Sequence, residues 1–203
     1  MFLFYLLFDI YLFGGWFYKM KNKDIYLVFS NTGTLLARCI NFYTKDPYVH
    51  VSLSFDNSFK KMYSFGRVFP LIPFIGGLVE ENLQDGVYKR FQNSRCVIYK
   101  ISVDNDQYNL LKEELDSFLK EQKKYKYSLL GLIGVALQKP IKRDNHYFCS
   151  EFISHLLIKS NIYDSDKIPG LTKPSDLLDI NHKEFVYEGL AYEYHNKYPN
   201  LMY

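Results

Sequence analysis

The sequence predicts an α+β fold, an antiparallel sheet packed against helices, one of which bears a cysteine. Three observations predict it. Val49 to Phe55 alternates apolar and polar residues and runs into a turn at Asp56-Asn57-Ser58, as a strand entering a hairpin does. From Gln107 to about Lys123, the residues Tyr108, Leu111, Leu115, Phe118 and Leu119 recur with the 3.6-residue period of a one-sided helix. A second strong helical stretch runs from about Tyr147 to Lys159. A helix, several strands and a helical stretch in that order form an α+β pattern.

The chain has 203 residues, enough for one domain with a sizeable core, read as residues 20–203 behind an apolar segment 1–19. With 48% hydrophobic and 23% charged residues it is not a disordered composition. A net charge of +3 without a long basic run lacks the footprint of a nucleic-acid binder, so no nucleic-acid partner is expected. Three cysteines at unrelated spacings (39, 96 and 149) argue against a disulfide framework and fit a reducing, cytoplasmic compartment. Met1 to Tyr18 is nearly all apolar or aromatic, broken by Asp9 and Gly14-Gly15. As a membrane span it carries an Asp near its middle, which costs roughly 2.5–3.5 kcal/mol. As a signal peptide it lacks a preceding positive charge and small residues at a cleavage site. A start at Met20 is the third reading. Membrane contact, if the segment is retained, runs through residues 1–18.

Taken in order, Ile25 to Ser30 (IYLVFS) reads as a short buried strand. Asn31 to Thr34 supplies turn and cap chemistry, and the spacing from Leu35 to Tyr43 starts a helix near Thr34, ended by Asp46-Pro47. In the strand Val49–Phe55, Val49, Val51, Leu53 and Phe55 face one way, and Tyr48, His50, Ser52 and Ser54 the other. Phe59 to Phe65 returns as the hairpin partner. Gly66 to Gly77, with two prolines and three glycines, reads as a loop; Glu80-Glu81 in its continuation is a carboxylate pair of the kind that does acid–base work, but it reads better as a solvated pair. Val87–Phe91 and Arg95–Val103 read as strands, and Asp104 as the cap of the helix after them. Tyr127 to Leu137 is apolar on most sides and reads as a short buried helix or a turn-rich segment, ended by Pro140. Ser175 starts a helical turn, and Tyr187–Tyr194 forms an edge strand.

Two residues stand out chemically. A cap at Asp144 or Asn145 puts Cys149 in the first turn of its helix, where free N–H groups favour the thiolate that a nucleophile needs. A buried structural cysteine is the competing reading, since Cys149, Phe152, Ile153, Leu156 and Leu157 form an apolar stripe. His50, on the polar face of its strand, is placed to act as a base across a cleft; a merely hydrogen-bonded histidine competes. A cysteine at a helix start and a histidine on a strand, far apart in sequence, form the pair expected to meet in a thiol enzyme. The residue orienting the imidazole is sought on the returning hairpin strand. A two-residue turn pairs Ser52 with Tyr63; one residue more pairs it with Ser64. Ser64 is preferred and Tyr63 is second. His146 and Cys149, three apart, lack the partners of a zinc site, and neither metal nor cofactor is expected.

Tyr48-Val49-His50-Val51-Ser52-Leu53 followed by a hairpin, with the later Tyr147-Phe148-Cys149-Ser150-Glu151-Phe152, resembles the circularly permuted, YiiX-like branch of the NlpC-type papain-like superfamily. The resemblance covers roughly Asp24 to Lys159. It implies a permuted papain-like fold in which the His strand precedes the Cys helix, with Cys149 as nucleophile and His50 as base. It also implies a polar third residue on the strand after the histidine, in the Tyr63–Ser64 region. Relatives carry His, Asn, Gln or Glu there, and this chain offers none between Asn57 and Glu80. The expected activity is thiol-dependent hydrolysis or acyl transfer on a small peptide, amide or acyl, lipid-like substrate. The alternative is a papain-like binding module without strong catalysis.

Overall fold

IYLVFS lacks polar interruption because its strand is central and covered on both faces. The computed structural model describes residues 22–34, 37–38, 41–42, 45–67 and 76–197. Its elements are β1 (Lys23–Asn31), β2 (His50–Ser54), β3 (Met62–Arg67), β4 (Gly76–Glu81), α1 (Gly86–Arg90), β5 (Arg95–Val103), α2 (Asn105–Lys120), β6 (Lys126–Tyr127), α3 (Leu129–Ala136), β7 (His146–Tyr147), α4 (Cys149–Lys159), α5 (Pro174–Leu177), β8 (Lys183–Leu190) and α6 (Glu193–Lys197). Six strands form one sheet in the order β4-β3-β2-β1-β5-β8, every pair antiparallel. β6 and β7 form a separate parallel pair. This is a mixed α+β architecture with helices on both sides of an antiparallel sheet.

The period-2 geometry of strands sorts the core into two layers. Ile25, Leu27, Phe29, Val51, Leu53, Phe65 and Val97 face α2 and α4, whose Leu111, Leu115, Phe118, Phe152, Ile153 and Leu156 close that side. Phe152 packs edge-on against Phe65 and Phe118, with ring centroids 4.9 and 5.1 Å apart. The opposite face, Tyr26, Val28, Met62, Cys96 and Ile98, is covered by Tyr88 of α1 and Tyr194 of α6. The alternating face of β2 that carries Ser52 and Ser54 is therefore buried too, and both serines are fully enclosed.

Several elements differ from the sequence reading. Val87–Phe91 is not a strand: Val87–Arg90 is helical in α1, with Phe91 as its C-terminal cap, because Tyr88 is needed on the second core, and Asp85 and Gly86 turn the chain into it. Gly76–Glu81 is not loop but the edge strand β4, paired along β3 from Met62↔Glu81 to Arg67↔Gly76. Phe59 lies before the hairpin strand at positive φ (50°), and β3 starts at Met62. α2 carries the predicted Asp104 cap as a full capping box with Gln107. Of the two readings of Tyr127–Leu137, the helix is the one that forms, as α3, and it is not buried all round. β8 runs Lys183–Leu190 and forms the sheet edge beyond β5. Ser175 lies within α5, whose cap is Lys173. Residues 1–19, Cys39 and the Val68–Phe74 stretch lie outside the described residues.

Candidate active site

α4 starts at Cys149 and not at Tyr147, because His146 and Tyr147 are held as β7 against β6. The residue before the helix is Phe148, which has no side-chain acceptor, so neither Asp144 nor Asn145 caps it. Glu151, in the third helical position, instead accepts a bond from the Phe148 backbone. Burial pushes the Glu151 carboxyl up to about 7, against the opposing pull of that bond and of Lys142. Cys149 thus sits at the first position of a helix whose leading N–H groups have no intrahelical acceptor. The residue is only 3% exposed, and its Sγ lies 3.9 Å from the Val49 carbonyl oxygen.

That contact brings the sulfur to the start of β2, beside His50. The His50 Nε2–H donates to both oxygens of Glu81, at 3.0 and 3.1 Å. The two side chains are 20% and 14% exposed. Burial opposes a charge on His50, but the Glu81 carboxylate outweighs it, and hydrogen bonding to the Cys149 thiol adds to the effect; the imidazole is held well above its usual pKa. Cys149 belongs to the core face under α4, and Glu81 shares the opposite face with Met62, its register partner. His50, the first residue of β2, is the group both reach from either side of the sheet's end.

The acid is held in turn. Ser52 Oγ donates to Glu81 Oε2 at 2.6 Å. The Tyr88 hydroxyl, fully buried, bonds to Ser52 and lies 3.0 Å from Ser30 Oγ. Gly66, on the strand between β2 and β4, keeps the space open. A Cβ there would lie 3.3 Å from Val79 Cγ2, 3.4 Å from Glu81 Oε1 and 3.8 Å from His50 Cε1.

The structure brings Cys149 and His50 together but not Ser64 or Tyr63. The observed pairs Leu53↔Tyr63 and Ser54↔Met62 are the longer-turn register that aligns Ser52 with Ser64. Ser64 Oγ nevertheless donates to the Val51 carbonyl at 2.7 Å, inside the sheet. Tyr63 is on the other face, edge-on to Phe55. Tyr48 also faces the α4 side, and its hydroxyl donates to Glu188 at 2.7 Å. Sequence reasoning sets Glu81 aside as half of a solvated pair because Gly76-Gly77 makes its strand look like loop. The surviving signal was an acidic residue one strand further along the hairpin than the search went.

A cavity of about 780 Å³ on the outer flank of α4 is lined by Lys142, Arg143, His146, Glu151, His155 and Ile168 among others, and Cys149 does not line it. Among the described residues, no group of three or more His, Cys, Asp or Glu is arranged to hold a metal ion. Compared with known proteins, the chain matches no family model, no curated protein and no solved structure.

Proposed function

We propose that this chain is a thiol-dependent hydrolase or acyltransferase of the permuted papain-like type, with Cys149 as nucleophile, His50 as its proton partner and Glu81 as the orienting acid. The observation that carries the reading is the single imidazole that bonds the Glu81 carboxylate through Nε2 at the end of β2 where the Cys149 sulfur meets the Val49 carbonyl. An acid at that position holds the ring, fixes which nitrogen faces the sulfur and stabilises the imidazolium. The order of the parts, His strand first and Cys helix later, against the same sheet, fits the permuted arrangement.

The chemistry follows from these roles. His50 takes the Cys149 proton, and the Glu81 carboxylate stabilises the imidazolium that forms. The thiolate attacks an amide, ester or thioester carbonyl, and the helix's leading N–H groups face the oxyanion. Collapse of the tetrahedral adduct passes the His50 proton to the leaving amine, alcohol or thiol. Water, or another acceptor, then gives a proton back to His50 as it attacks the acyl-enzyme, which releases the acid or transferred acyl product and restores the thiolate.

A second reading, a binding module that keeps the fold without the chemistry, draws on the 3% exposure of Cys149. Iodoacetamide alkylation at near-neutral pH, read by peptide mass spectrometry, separates the two. The proposal expects Cys149 to react well ahead of Cys39 and of Cys96, whose thiol burial pushes up to about 12. A Cys149 no faster than either counts against catalysis.

A further inference from the structure

Helix α3 (LLGLIGVA) turns its small residues inward. A Cβ on Gly131 would lie 2.9 Å from the Phe148 ring, and one on Gly134 would lie 2.6 Å from the Lys139 carbonyl oxygen. Its large residues go outward: Leu130 and Ile133, with Leu137 just past its end, occupy one stripe at i, i+3 and i+7 and are 43%, 50% and 59% exposed. Ile168, the residue before the 3-10 turn Pro169–Leu171 that packs against α3, adds a fourth aliphatic side chain, 51% exposed. Single exposed leucines are ordinary; a stripe of them marks an interaction surface.

The charge around the stripe selects its partner. From Lys123 to Arg143 the chain has six basic residues (Lys123, Lys124, Lys126, Lys139, Lys142 and Arg143) and no acidic one. They escape notice as a basic run because the apolar helix divides them. Lys126, Lys139, Lys142 and Arg143 are exposed. A second copy would set these like charges against each other across a two-fold contact. The chain's own residues 1–18 offer one acid, Asp9. A nucleic acid would leave the aliphatic stripe without a partner. An anionic bilayer satisfies both parts at once, acyl chains for the stripe and headgroups for its rim. No described helix is long and apolar enough to cross a membrane, so contact through α3 lies along the surface.

We propose that α3 docks this protein on an anionic lipid surface, with Leu130, Ile133 and Leu137 entering the acyl boundary and Lys126, Lys139, Lys142 and Arg143 meeting the headgroups. Through Gly131 and Phe148 the docked helix abuts the start of α4, so the surface lies next to the Cys149 helix. The inference stands whether or not Cys149 is a catalyst.

Flotation of the full chain with vesicles tests it. The native chain binds phosphatidylcholine vesicles containing phosphatidylglycerol and binds pure phosphatidylcholine far more weakly. K139Q/K142Q/R143Q weakens binding to the mixed vesicles about a hundredfold, from the loss of three surface charges. L130S/I133S/L137S weakens it at least about tenfold, with an unaltered circular dichroism spectrum. Equal binding to both vesicle types, or a serine variant that floats as the native chain does, overturns the proposal. So does a native chain that binds neither vesicle, which would mean that another occupant, such as a second copy or residues 1–18, covers the face.

Discussion

Replacing Glu81 by glutamine removes one charge from the candidate site and little volume. The carboxylate and the imidazole are 3.0 Å apart and only partly exposed, at 14% and 20%. Two unit charges centred about 4 Å apart attract by about 4 kcal/mol at an effective dielectric of about 20, the value suited to such partly buried pairs. The glutamine amide keeps a neutral hydrogen bond worth about 1 kcal/mol. The difference between the two, about 3 kcal/mol, is the attraction the substitution removes from the pair. The assay is the pH dependence of Cys149 alkylation, with Cys96 as internal reference. In Glu81→Gln the His50 pKa falls toward its ordinary value, the imidazolium beside the thiol is depleted, and alkylation at neutral pH drops severalfold. The profile moves to higher pH. Stability gives an independent reading of the same pair. Because the folded His50 pKa is raised from 6.5, its contribution is complete below the unfolded histidine range and is lost as pH rises through the folded value. Urea unfolding of the native chain therefore loses that contribution on the alkaline side, and Glu81→Gln flattens the loss. An unchanged alkylation rate and profile in a variant that still folds refutes the role assigned to Glu81.

Three further outcomes follow from the same geometry. Gly66→Ala puts a Cβ within 3.4 Å of the Glu81 carboxylate; it slows Cys149 alkylation severalfold while costing about 1–3 kcal/mol in urea unfolding. Tyr88→Phe deprives the Ser30 and Ser52 hydroxyls of their shared partner, costs about 1–3 kcal/mol of stability and lowers Cys149 alkylation less than Glu81→Gln does. Glu151, pushed from 4.5 up to about 7, binds its proton more tightly when folded, so its contribution is complete below the unfolded range and is lost as pH rises through about 7. Glu151→Gln removes on the order of 3 kcal/mol of that pH dependence, read as the difference in unfolding free energy between acidic and mildly alkaline buffer.

What the sequence by itself determined were the elements whose patterns are local: the continuous apolar run of β1, the alternation of β2, the period and cap of α2, and the stripe of α4. Those patterns sufficed to name Cys149 and His50, because a residue's place on a helix start or strand face follows from its neighbours in the chain. Val87–Phe91 was misread because a helix as short as α1 leaves too few residues to show a period. The third member of the candidate site was out of reach for a different reason. Glu81 meets His50 only because β3 lies between β2 and β4 with a glycine at the crossing, and strand order and side-chain reach across a neighbouring strand have no trace in local pattern. The same holds for α3. Its apolar sequence reads as core, and only packing decides that its glycines go in and its leucines stay out. Burial is a property of what lies opposite, and the tertiary structure alone supplies that.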